Sequence, residues 1–403
     1  MSISELVQKQ KAYFQRGETL DLDFRQEALK KILAALSDWE PDILEALALD
    51  LNKSDIEAYI TEIGTVKAEL KHIIRKLPRW AKKKRVRTPL SALPGRSYVL
   101  VEPYGCVLIM SPWNYPFMLT LSPLIGALAA GNCALIKPSA YAPHTAALID
   151  RMIKHLFDEE YCACVLGSRK ENTALLDEDF DYIFFTGSVN VGRLVMEKAS
   201  RHLTPVTLEL GGKSPAIVDE TADLDLAAKR LVFGKFINAG QTCIAPDYLL
   251  VHESKMDELI RKLKFHIEVS YPKDAAGRVM DYPCIVNRKH FDRLSDLLAG
   301  EKIVIGGGLD PERLSIEPTV LAPVAFDAPV MQEEIFGPLL PLIPYKDLHW
   351  ALSRIRERPK PLALYLFSQN RDVWRRIEKT VSFGGGCIND TLLHIASPLR
   401  RGG

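Results

Sequence analysis

The chain has 403 residues, more than one compact core usually holds, so two or more domains are expected. Hydrophobic residues make up 47% and charged residues 26%, ordinary values for a globular protein, and 52 Lys and Arg against 51 Asp and Glu leave a net charge of +1. That balance excludes nucleic-acid or membrane-surface binding driven by bulk charge, and the one basic run, Lys82-Lys83-Lys84-Arg85 with Arg87, reads as a solvated connector.

Residues 1–15 lack the apolar core of a signal peptide and read as a helix capped at Ser2 or Ser4. Residues 1–80 as a whole read as helices, with Leu29, Ile32, Leu33 and Leu36 at helical spacing. A short extended segment, Tyr98 to Pro103, follows the basic run. The pattern then changes to short apolar runs at 106–110, 133–136, 182–185, 206–210 and 216–218. Helical stretches or turns separate them, such as 118–130 ending at Gly131-Asn132. This alternation predicts a parallel α/β sheet with crossover helices. A second series follows, with a strand at 248–252, a helix at 254–268 and further strands at 302–305 and 362–367. No stretch of about 18 uninterrupted apolar residues occurs, so no membrane anchor is expected. Seven cysteines without disulfide-scaffold spacing point to a reducing compartment, the cytoplasm by default.

Six segments carry chemistry. In Phe236-Ile237-Asn238-Ala239-Gly240-Gln241-Thr242-Cys243 a thiol follows a loop whose backbone can turn tightly and aim amide N–H groups at one spot. The other six cysteines read as small buried hydrophobes. Cys162 and Cys164 lack a second Cys or His pair at ligand spacing, so no metal is expected. In Val206-Thr207-Leu208-Glu209-Leu210-Gly211-Gly212-Lys213 a carboxylate ends an apolar β-like run before a glycine pair. Desolvation there raises a carboxyl pKa into the range of a general base, although a structural ion pair fits the residue equally. In Met110-Ser111-Pro112-Trp113-Asn114-Tyr115-Pro116, Asn114 follows a strand, where its amide can donate to a developing oxyanion or cap the next helix, with Pro116 suited to a first helical turn.

Phe184-Phe185-Thr186-Gly187-Ser188-Val189-Asn190-Val191-Gly192 runs from strand to helix start, a geometry that serves a pyrophosphate or a plain βα turn. Lys137, in Ile136-Lys137-Pro138-Ser139, stands at a strand end within reach of ribose or phosphate. Gln332-Glu333-Glu334-Ile335-Phe336-Gly337-Pro338 sets a carboxylate and an aromatic beside a turn.

Together and in this order, the six segments resemble the aldehyde dehydrogenase superfamily over about residues 5–398. The wording of residues 208–216 and of Ile388-Asn389-Asp390-Thr391-Leu392-Leu393-His394 is similar to its class 3 branch of fatty- and aromatic-aldehyde enzymes. The resemblance implies a Rossmann-type NAD-binding domain over 1–82 and 105–210, a bridging segment over 83–104 and an α/β catalytic domain over 211–390. It implies a small-molecule aldehyde as substrate, NAD or NADP as cofactor and a homodimer. Carried over residue by residue, it makes Cys243 the nucleophile, Asn114 with the Cys243 N–H the oxyanion hole and Glu209 the base for thioester hydrolysis. Trp113, Lys137, Gly187, Ser188, Gly192, Glu334 and Phe336 become cofactor-binding residues, Glu334 rather than Glu333 by counting back from Phe336.

Two departures from the family's wording matter. Many relatives follow Lys-Pro-Ser with Glu where this chain has Ala140, and loss of that carboxylate predicts that NADP is accepted beside NAD. Relatives also continue past Ala396-Ser397-Pro398 into a Pro-Phe-Gly-Gly segment, whereas this chain reads Leu399-Arg400-Arg401-Gly402-Gly403. Residues 391–403 are therefore expected to be the remnant of a C-terminal bridging and funnel segment, and a catalytically impaired, dinucleotide-binding product is an alternative reading. A coenzyme A-acylating relative is the other, disfavoured by Glu209, since acyl transfer to a thiol needs no water-activating base.

Overall fold

The structure, a computed structural model, describes residues 2–396. The reading of a shortened end falls largely on residues 397–403, outside the described residues.

Apolar runs bounded by turns become strands. In chain order these are β1 Lys84–Val86, β2 Ser97–Val99, β3 Cys106–Met110, β4 Cys133–Lys137, β5 Cys162–Cys164, β6 Tyr182–Gly187, β7 Val206–Leu210, β8 Pro215–Val218, β9 Tyr248–His252, β10 Ile303–Ile305, β11 Leu309–Asp310, β12 Ser315–Ile316, β13 Thr319–Leu321, β14 Leu339–Tyr345, β15 Ala363–Phe367 and β16 Gly385–Ile388. The chain divides into two units: residues 1–50 with 58–209, and 51–57 with 210–403.

The first unit holds a five-stranded sheet in the order β5-β4-β3-β6-β7. Strands β3 and β4 are buried throughout, as expected for the middle of a parallel sheet covered on both faces. Helix Met118–Ala130 lies between them in sequence and ends at Gly131, whose φ of +95° only glycine adopts freely. Helix Ile3–Gln15 starts with a capping box between Ser2 and Glu5, one of the two caps read from sequence. Of the stripe on helix Leu22–Asp38, Leu29, Ile32 and Leu36 are fully buried against helices Gly64–Trp80 and Met118–Ala130, while Leu33 is half-buried. Burial of each such side chain stabilises by about 1.5–3 kcal/mol. The segment 83–104 forms a separate antiparallel hairpin of β1 and β2. Its surroundings expose Leu90, Leu93, Tyr98, Val99, Leu100, Val101 and Tyr104.

The second unit holds a seven-stranded sheet in the order β10-β13-β14-β9-β8-β15-β16, parallel except for the β10–β13 edge, and a small β11–β12 hairpin. Helix Leu224–Phe236 is capped by Asp223, whose carboxylate accepts from the N–H groups of Asp225 and Leu226 at 3.1 Å. It packs with helix Met256–Ser270 onto the sheet's core. The helix expected at 254–268 begins instead with a 3-10 turn at Glu253–Lys255. Among the described residues, no helix is long and apolar enough to cross a membrane.

Candidate active site

In the first unit the strands bring Trp113, Asn114, Lys137, Gly187 and Ser188 to one edge of the sheet. Met110, the last residue of β3, is in register with Lys137 on one side and Phe185 on the other, so the segments leaving these strands emerge together. Ligands of open α/β sheets gather at such carboxyl ends. Asn114 is buried and Trp113 half-buried in the turn after β3. The helix begins only at Met118, so Pro116 precedes it rather than filling its first turn, and Asn114 is not its cap. The fully buried Glu62, on a π-helical segment, accepts from the N–H groups of Phe117 at 2.8 Å and Met118 at 3.1 Å. A carboxylate distant in sequence thus satisfies that helix start.

Lys137 is buried, and burial lowers its ammonium pKa. Its Nζ donates to the Pro138 carbonyl at 2.8 Å, leaving two further N–H donors for a ligand. Ala140 beside it is exposed. Ser188 is the exposed N-cap of helix Val189–Ala199, its hydroxyl accepting from the Val191 N–H at 3.4 Å, and Gly192 lies buried on that helix. Gly187, Ser188 and the first N–H groups of this helix therefore present donors and a positive dipole end to solvent. Glu209 sits on β7, the edge strand beside β6. That strand is half-buried throughout rather than deeply buried, because one side lacks a neighbour, yet desolvation still raises the Glu209 carboxyl above its usual 4.5.

The second unit builds the thiol. From Gly234 to Val251 every residue is buried except Cys243, which is half-exposed. The loop before it is bent by three successive left-handed residues, Asn238 (φ +53°), Ala239 (+50°) and Gly240 (+72°). The first two carry side chains, so the turn stores strain of order 1–3 kcal/mol each that surrounding contacts must hold. Gln241 does much of the holding. Its amide donates to the carbonyls of Asn238 at 3.1 Å and Cys284 at 2.9 Å, and its oxygen accepts from Val286 N–H at 3.0 Å. The Asn238 N–H donates to Glu57 at 2.8 Å, and the Tyr365 hydroxyl donates to the Ile244 carbonyl at 2.6 Å. Glu57, Cys284, Val286 and Tyr365, the partners that complete these anchors, all lie far from the motif in sequence.

Glu334 and Phe336 occupy a segment whose backbone is clamped on several sides. Lys213 donates to Asp247 at 2.5 Å and to the carbonyls of Val330 and Glu333 at 2.8 and 2.9 Å. Asp247 accepts the Ile335 N–H at 2.9 Å, Arg293 reaches the Ile335 carbonyl at 2.5 Å, and Arg358 the Met331 carbonyl at 2.6 Å. Phe336 turns the chain at φ +50°. The Glu334 carboxyl lies against the glycine pair after Glu209: a Cβ on Gly211 would stand 2.1 Å from Glu334 Oε2, and the Gly212 backbone hydrogen-bonds to the carboxyl. Glu333 is exposed.

The other cysteines divide. Cys106, Cys133 and Cys162 are buried, and burial pushes the Cys133 thiol up to about 12. Cys164, Cys284 and Cys387 are partly exposed, so the uniform expectation of buried thiols is corrected for these three, and Cys387 Sγ lies 3.7 Å from His394 Nδ1. Among the described residues no group of three His, Cys, Asp or Glu is placed to hold a metal ion.

Residues 1–403 match the model of the aldehyde dehydrogenase family. The chain is 51% identical over 390 residues to the 4,4'-diaponeurosporen-aldehyde dehydrogenase of Staphylococcus aureus, covering 96% of this chain and 85% of that protein. It is 42% identical over 397 residues to the dimeric NADP-preferring aldehyde dehydrogenase of Rattus norvegicus, covering 98% and 87%. The solved substrate-bound structure of Staphylococcus aureus AldH superposes with a TM-score of 0.96 at 49% identity, covering 99% of this chain and 87% of that one.

Proposed function

The chain belongs to the aldehyde dehydrogenase family, and from that premise we propose that it oxidises a small-molecule aldehyde to the carboxylic acid through a covalent adduct on Cys243, with NAD or NADP as hydride acceptor. The observation that carries this reading is Cys243 itself: the one half-exposed residue in an otherwise buried stretch, at the end of a strained and heavily anchored loop. A structural thiol needs neither the opening nor the strain.

In this reading the Cys243 thiolate adds to the aldehyde carbon to give a thiohemiacetal. The Asn114 amide and the Cys243 N–H take the role of donors to the oxygen that becomes anionic, an effect worth about 3 kcal/mol per donor. The bound dinucleotide supplies a hydride acceptor, and loss of hydride turns the adduct into a thioester. Glu209 then takes a proton from the water that attacks the thioester, and the acid leaves with Cys243 restored. Its raised pKa suits that task near neutrality.

The residues present fit a dinucleotide. The exposed helix start at Ser188 suits the pyrophosphate, the spare Lys137 donors suit the adenosine ribose, and Trp113, Gly192, Glu334 and Phe336 complete the proposed contacts. The exposed Ala140 leaves no carboxylate to repel a 2′-phosphate, and the rat relative's name carries an NADP preference. NADP is therefore expected to serve beside NAD, and a kcat/KM ratio strongly in favour of NAD would count against this. The exposed apolar residues in and beside the β1–β2 hairpin, Leu90, Leu93, Val99 and Leu100 among them, support a homodimer, to be checked by light scattering in solution. Seven free thiols fit a reducing cytoplasm.

The deciding experiment mixes the full chain with NAD or NADP and medium-chain or aromatic aldehydes and follows reduced nicotinamide absorbance. Aldehyde-dependent reduction that vanishes in Cys243→Ser supports the mechanism; reduction that survives the substitution overturns it.

A further inference from the structure

Lys235 has no role in the chemistry above. It occupies the last turn of helix Leu224–Phe236, its side chain is 0% exposed, and its Nζ has no hydrogen-bond partner among the described residues. A buried ammonium without an acceptor is among the costliest groups a core can carry, and Met or Leu would fill the same space without that cost.

The neighbouring Lys213 shows what a settled buried lysine looks like, with three donors and three acceptors. The charges that bear on Lys235 are those of Asp247, Lys213 and Glu334. Asp247 is already committed, one oxygen to the Lys213 ammonium and the other to the Ile335 N–H. Once Lys213 and Asp247 neutralise one another, Lys235 is left without a compensating partner, and the charges remaining around it are those of Glu334 and, bearing on Glu334, Arg293. The backbone ties Lys235 and Glu334 to the nucleophile's loop. A Cβ on Gly240 would stand 2.3 Å from the Gly337 carbonyl oxygen and 3.0 Å from that of Lys235, so the helix end, the thiol loop and the turn after Glu334 touch at one point.

We propose that Lys235 is a positioning residue for the dinucleotide: it is the counter-charge that lets Glu334 stand as an ionised acceptor when ribose hydroxyls dock on it. The inference rests on the reading of Glu334 as the nicotinamide-side ribose contact. In the ligand-free chain burial, then the Asp247 charge, pushes the Glu334 carboxyl up to about 8, against the Gly212 backbone hydrogen bond, Lys213 and Lys235. The nearby Arg293 adds a further positive charge. Burial draws Lys235 down to about 8. Near pH 7 both groups therefore hold their protons. Ribose hydroxyls donate, so docking favours the carboxylate: the Glu334 proton passes to the buffer and Lys235 keeps its own. Binding of NAD then releases a proton without any turnover.

The test is calorimetric titration of the full chain with NAD alone at pH 7, in phosphate and in Tris, whose different heats of ionisation report the protons exchanged. Wild type is expected to release protons. Lys235→Met is expected to release at most half as many and to bind about ten-fold more weakly, while Lys235→Arg, which keeps the charge, restores both. Equal release and equal Kd in Lys235→Met overturn the proposal, and so does a wild type whose binding heat is the same in both buffers, which keeps the test decisive should Lys235→Met fail to fold. Glu334→Gln separates the two readings. If it binds NAD like wild type, the ribose assignment of Glu334 is what fails. If it weakens binding while Lys235→Met does not, only the role of Lys235 falls.

Discussion

The thiol loop of the second unit and the phosphate turn of the first solve different problems with different amounts of structure. The loop from Ile237 to Thr242 is buried, bent through three positive φ angles and held by its own Gln241 reaching Cys284 and Val286 and by Glu57 and Tyr365 from distant parts of the chain. The turn at Gly187-Ser188 is half-buried at the glycine and exposed at the serine, whose hydroxyl makes one long N-cap bond. A nucleophile must be placed within a fraction of an ångström of its target. A pyrophosphate, by contrast, needs only N–H groups and a dipole, which any helix start offers.

If that contrast holds, damage should fall steeply from the loop to the turn. Cys243→Ser is the extreme case: kcat is expected to drop about 10³-fold or more, with the thermal midpoint nearly unchanged, since the thiol is only partly buried against the core and serine has nearly its size. Unfolding on substitution would mean that the thiol is structural. Next comes Glu209→Gln, expected to give one rapid turnover in stopped flow and then a steady rate about 10²–10⁴-fold below wild type. The sign with pH follows from its raised carboxyl: the base works only when ionised, so deacylation is lost as pH falls through a value above the ordinary 4.5. An acid limb at or below 4.5 would contradict the assignment.

Gly240→Ala sharpens the comparison from the side of stability. A side chain at φ +72°, 2.3 Å from a backbone carbonyl, is expected to cost about 2–4 kcal/mol, read as a lowered denaturation midpoint with reduced kcat. Ser188→Ala should do least, below about 1 kcal/mol in stability, with dinucleotide Kd raised less than ten-fold. A larger loss there would show that the turn is built more tightly than it looks.

The same contrast explains what the sequence disclosed. Strands β3, β4, β6, β7 and β9 and helix Met118–Ala130 were legible because continuous apolar runs stop at turn residues. Strand β14 was not: it lies inside the second sheet, but Pro341 and Pro344 interrupt its pattern and argue against a central strand. Strand β16 begins with two glycines and reads as a turn. The membership of residues 51–57 in the second unit leaves no local signal either. At the site, Cys243, Asn114 and Glu209 could be named from motifs, and the family resemblance made the set specific. The anchors Gln241, Tyr365, Glu57 and Glu62 and the burial of Lys235 depend on contacts far apart in the chain, which single-sequence periodicity does not encode.

The close approach of Gly211 to the Glu334 carboxyl has a consequence for substitution. Any side chain at 211 must displace the acid from its seat, and because the clash is with the far end of a flexible side chain, the acid and not the backbone would yield. The glycine therefore guards the place of one carboxylate and not the fold around it.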